Sequence, residues 1–107
     1  SNIVIDQGAD YSAAVDVTDS DGDAVDLTGH TAAGQIRKTY SSSTKVDFAV
    51  TFASPRTTGT LNLGLTNAQT VAMKAGRYVY DIEITNGAGV KTRVLEGQVE
   101  ITPGVTV

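Results

Sequence analysis

The sequence predicts an all-β protein, an antiparallel β-sandwich of about seven or eight short strands with one short helix near residues 67–74. Three observations predict it. Apolar residues recur at every second position in brief stretches, and Gly, Asn, Asp and Ser clusters separate those stretches. The composition, with 15 Thr, 11 Gly and a single Met, favours strands and turns over long helices. Only one stretch carries helix-start and helix-stop signals together. A small open barrel is the alternative way to close such strands. With 107 residues the chain is expected to form one domain, residues 1–107, around one core.

Taken in order, Ile3-Val4-Ile5 starts a short strand that Gly8 interrupts. Tyr11, Ala13, Val15 and Val17 alternate with polar or small residues, as a half-buried strand requires. Asp19-Ser20-Asp21-Gly22-Asp23 reads as a turn, after which Val25 and Leu27 resume the alternation. Thr31–Lys38 is a weaker strand. Val46, Phe48, Val50 and Phe52 form one apolar face, and Leu61, Leu63 and Leu65 form another. Thr66-Asn67-Ala68-Gln69 fits a capping box, with Lys74 and Gly76 placed to end the helix. Tyr78, Tyr80, Ile82 and Ile84 share a strand face, followed by the hairpin signal Asn86-Gly87-Ala88-Gly89. In the last strand the apolar positions change parity, from Val90, Thr92 and Val94 to Leu95, Val99 and Ile101. That change predicts a bulge or bend near Leu95–Gly97, which would let the strand cross between sheets. The expected core is Tyr11, Val15, Ile36, Phe48, Val50, Phe52, the three leucines, Tyr78, Tyr80, Ile82, Ile84, Leu95, Val99 and Ile101.

The absence of Cys excludes disulfides and thiolate chemistry, and a single His excludes a multi-histidine metal site within one chain. No apolar run approaches the roughly 20 residues of a membrane-crossing helix, and the first residues lack the pattern of a signal peptide. The net charge of −4 is unevenly spread. Residues 1–36 hold seven Asp and no Lys or Arg, whereas residues 37–107 hold eight basic and five acidic residues. The few, scattered cations argue against a nucleic-acid partner. The acidic first third suits contacts in an assembly.

Four constellations hold residues fit for chemistry. Asp19, Asp21 and Asp23 are the candidate ligands of a weak calcium site, although the EF-hand spacing fails because Gly22 and His30 fall at the wrong positions. His30 follows Gly29 with no nucleophile motif nearby and reads as an exposed or capping residue. Asp81, Glu83 and Glu96 face Lys91 and Arg93 and read as cross-strand ion pairs rather than a glycosidase pair. Tyr40, beside Ser41–Thr44, is the expected exposed aromatic, fit to stack on a sugar or a partner. No catalytic residue, cofactor or glycine-rich phosphate loop is expected. The apolar termini, with Ile3, Val4 and Ile5 at one end and Val105 and Val107 at the other, are candidates to add strands to a neighbour, joined by Tyr40 as a partner-binding residue.

Three stretches carry a resemblance that spans nearly the whole chain: Asp21–Gly29, Gly76–Ile82 and Leu95–Pro103, the last ending in Val105-Thr106. Together they resemble the small immunoglobulin-like domain of tailed-phage virion proteins and are similar to the N-terminal domain of phage baseplate upper proteins. The resemblance implies an immunoglobulin-like sandwich. It also implies a non-enzymatic structural role in a virion, as capsid decoration or as a tail or baseplate accessory, after synthesis in the host cytoplasm. The implied partners are other virion proteins, with a homo-oligomer or several copies per particle. The alternative is a receptor- or carbohydrate-binding module of a phage tail or a cell-surface adhesin. The matching residues are turn and core positions, so no functional residue is carried over.

Overall fold

The computed structural model describes residues 2–42 and 45–104. It contains β1 (Ile3–Asp6), β2 (Tyr11–Asp16), β3 (Thr31–Arg37), β4 (Lys45–Asp47), β5 (Ala49–Phe52), β6 (Thr60–Leu65), α1 (Asn67–Val71), β7 (Gly76–Thr85) and β8 (Lys91–Thr102). One sheet has the order β1-β8-β7-β3-β4, and the other β2-β6-β5. The two sheets are separate, so the molecule is a sandwich and not the open barrel. All pairs are antiparallel except β1 with β8, which run parallel with Ile5 opposite Ile101.

This is the strand order of an immunoglobulin-type sandwich. β8, β7, β3 and β4 stand where strands G, F, C and C′ stand, and β2, β6 and β5 where B, E and D stand. In a constant-type domain the first strand lies beside B. Here β1 pairs with β8 in the opposite sheet, and β2 is left at an edge.

The core lies between the sheets. Ile5, Ile36, Leu61, Leu63, Leu65, Tyr80, Ile82, Ile84, Val99 and Ile101 fill it from the strands, as alternation requires. Phe48 packs edge-on against Tyr80 at 6.2 Å and tilts against Tyr11 at 6.5 Å, linking the two sheets through three rings.

Several expected elements are placed differently. Val46, Phe48, Val50 and Phe52 do not form one strand face. β4 pairs with β3 and β5 pairs with β6, so the chain changes sheets at Phe48, whose N–H donates to Gly34 O at 2.9 Å. Burial of the Phe48 ring holds that crossing. Val25 and Leu27 resume no strand. Only an isolated bridge joins Thr18 to Ala24, and Leu27 is held by its N–H bond to Arg56 O while its side chain fills the core.

The parity change in β8 is a bulge one step earlier than expected. Ile82 pairs with Leu95 and Glu83 with Arg93, leaving Val94 unpaired. β8 stays in one sheet, because a one-residue insertion swaps faces without changing partners. The helix spans Asn67–Val71 rather than 67–74. Its capping box is present, with the Thr66 hydroxyl accepting from the Gln69 N–H and the Gln69 side chain accepting from the Thr66 N–H. It ends early because Met73 turns into the core and the Tyr78 hydroxyl donates to Lys74 O at 2.7 Å, pulling the chain into β7. Tyr11, Val15, Val50, Phe52, Tyr78 and Leu95, expected in the core, are half-buried against it.

Candidate interaction surfaces

Among the described residues, β2 is a six-residue edge strand with one side unpaired. The direction of its backbone groups follows from its continuation. The Val17 N–H donates to Gly59 O at 2.7 Å, in register with the β2–β6 pairing. Bonded and non-bonded pairs alternate in an antiparallel ladder, so Val15, Ala13 and Tyr11 exchange bonds with Leu61, Leu63 and Leu65. On the other side of β6, the Ala53 N–H donates to Thr60 O at 2.9 Å, as this alternation requires. Ser12, Ala14 and Asp16 therefore aim their N–H and C=O groups at the open side.

Beside that edge runs a groove of about 370 Å³ between the sheets. Ile3, Ala13, Val15, Leu63 and Leu95 supply its apolar wall, Tyr11 and Tyr80 their rings, and Asp16 the one charge among the lining residues. The missing neighbour of β2 is why Tyr11 and Val15 are half-buried. Burial pushes the phenol pKa of both Tyr11 and Tyr80 up, and for Tyr80 the Tyr11 phenol adds to it.

A second, polar groove of about 280 Å³ lies on the outer face of the five-stranded sheet. Gln35 and Arg37 from β3, Asp81 and Glu83 from β7, and Arg93 from β8 line it, with Tyr40 at its rim. Tyr40 is 63% exposed, as expected. Arg37 donates to Gln35 Oε1 at 2.9 Å. Of the acids expected to pair across strands, Asp81 does so, 3.3 Å from Arg93, whereas Glu96 meets the same Arg93 at 3.2 Å from within β8 itself. These pairs are solvated and contribute little to stability.

The carboxylates of Asp19, Asp21 and Asp23 lie within 4.8 Å of one another, and all three residues are exposed. Asp19 Oδ1 accepts the N–H groups of Asp21 and Asp23, a turn-making arrangement that accounts for the first of these acids. His30 is half-buried, and its Nδ1 lies 3.3 Å from Thr28 O. Ile5 is corrected as a partner-binding residue, because it is 2% exposed and points into the core. Ile3 is half-buried in the groove wall, and β1 already forms a ladder with β8. Only Val4 of this trio is well exposed, at 63%. Val105 and Val107 lie outside the described residues.

The open backbone of Ser12, Ala14 and Asp16 was not legible as a site. Their residue types carry no signal, and what singles them out is the sheet that β1 joins. Among the described residues no helix is long and apolar enough to cross a membrane. No family model matches this sequence, and no curated protein matches it either.

Proposed function

We propose that the chain is a non-enzymatic structural module of a tailed-bacteriophage virion that docks on other virion proteins, as capsid decoration or as an accessory of tail or baseplate. The single observation that supports docking is the open flank of the sandwich, where the unpaired edge of β2 runs beside an apolar groove. Edge strands are templates for another chain, and native proteins usually cover or charge them. The virion part of the reading rests on the turn and core pattern that resembles small phage sandwich domains. Mass spectrometry of purified particles tests it: the protein is expected in stoichiometric amounts, and its absence from intact virions would overturn the reading.

One observation favours a second reading, a receptor- or carbohydrate-binding module. The outer-face groove places an exposed tyrosine ring beside an amide, two guanidinium groups and two carboxylates. That mixture of stacking surface and planar hydrogen-bonding groups suits a sugar. A glycan array distinguishes the two, since the docking reading expects no hits and a Tyr40-dependent hit supports the second.

A further inference from the structure

The inference that follows rests on the docking reading and specifies its partner. We infer that the open edge of β2 takes up an extended segment of another protein as a fourth strand, with β-branched residues at alternate positions and Lys or Arg at both flanks.

Ser12, Ala14 and Asp16 present three N–H and three C=O groups in a row along one side of β2, the pattern that β-strand addition uses. A strand of six residues spans about 20 Å, so a segment of about six residues satisfies the edge. A strand laid beside β2 places every second side chain toward the core side, above the groove. There Ala13, small between Tyr11 and Val15, leaves space for a branched apolar side chain. Such an occupant would stand where strand A stands in a constant-type immunoglobulin sheet.

Charge selects the kind of segment. Asp10 precedes β2 and Asp16 ends it, and Asp19, Asp21 and Asp23 follow. Among the described residues no cation lines the groove. Cationic flanks on the incoming strand complement both ends whichever way it runs. The same charges disfavour a second copy of β2, because a twofold antiparallel pair would line up Asp10 and Asp16 from both chains.

The test uses the whole chain and two blocked synthetic peptides, Lys-Thr-Val-Thr-Val-Thr-Lys and the same sequence with Glu at both ends. Amide hydrogen exchange followed by NMR is expected to slow at Ser12, Ala14 and Asp16 with the Lys-flanked peptide. The Glu-flanked peptide is expected to bind about tenfold more weakly at low salt. Ala14→Pro removes an outward N–H and leaves the β2–β6 ladder whole, so it is expected to abolish binding. Ala13→Glu, which leaves the backbone unaltered but fills the space kept for the branched side chain and sets a carboxylate against it, is expected to weaken it at least tenfold. Unchanged exchange at the three amides, equal binding of the two peptides, or full binding by Ala13→Glu would each overturn the inference. So would protection of β2 in a peptide-free dimer. The outcome is separable from the virion reading: a protein found in particles that ignores the peptide keeps that reading and loses this one, and the reverse pattern does the opposite.

Discussion

Gly59 sits at φ +71°, where an added Cβ would lie 2.8 Å from Val25 O and 3.0 Å from Val17 O. Both neighbours are backbone and cannot step aside. Gly59→Ala is therefore expected to cost about 2 kcal/mol or more, from left-handed strain and the close contact together. Urea titration of the variant reads this as a lowered midpoint with an unchanged slope.

Thr70 is fully buried, and its hydroxyl donates to Ala9 O at 2.8 Å while accepting from the Gly8 N–H at 3.0 Å. Thr70→Val strands both groups and is expected to cost about 1–3 kcal/mol. Thr70→Ser, which keeps the hydroxyl, is expected to recover part of that in the same titration.

Asp26 is exposed, and its carboxylate accepts two hydrogen bonds from Thr28. The Thr28 hydroxyl, at 2.6 Å, holds its carboxyl below the usual carboxylate range, helped by the Thr28 N–H and by nearby His30. The folded pKa lies below the unfolded one. The contribution is therefore present above the unfolded value of about 3.9 and is lost as pH falls through the folded value. Melting temperatures of Asp26→Asn are expected to depend less steeply on acid pH than those of the parent.

Among the elements, the helix was the most legible. Its capping box is written in Thr66 and Gln69, and the structure forms both halves of it. Thr66→Ala is expected to lower stability by about 1 kcal/mol, measured by thermal melting. Gln69 does more than cap, because its Nε2 donates to Asp47 O and ties the helix to β4. No periodic pattern records that bond. The stretch Lys45–Phe52 was the least legible. Continuous alternation from Val46 to Phe52 reads as one strand, and nothing local distinguishes it from two strands in different sheets. The bulge in β8 shows the intermediate case. A change of apolar parity demands an inserted residue, but the pairing with β7 decides that the residue is Val94.

At the scale of the molecule, burial and strand membership separate. Leu27 belongs to no strand and is fully buried. Leu27→Ala is expected to cost about 2–5 kcal/mol, as much as a strand-core position, in equilibrium unfolding. The charge asymmetry also acquires a location. The acidic first third contains β1, β2 and the loop after it, and β2 with Asp10 and Asp16 at its ends forms the open flank. Summed charge along the chain predicts an assembly role in general terms.

By itself the sequence determined an all-β sandwich, most of its strands, its capped helix and most of its core. Those follow from side-chain periodicity and turn chemistry, which are local. Only the tertiary structure decided that β1 pairs with β8, that the chain changes sheets at Phe48, and that β2 keeps an unpaired edge beside a groove. The reason is physical: a strand's apolar alternation specifies which face it buries, whereas its neighbour depends on backbone hydrogen bonds that every residue type offers alike.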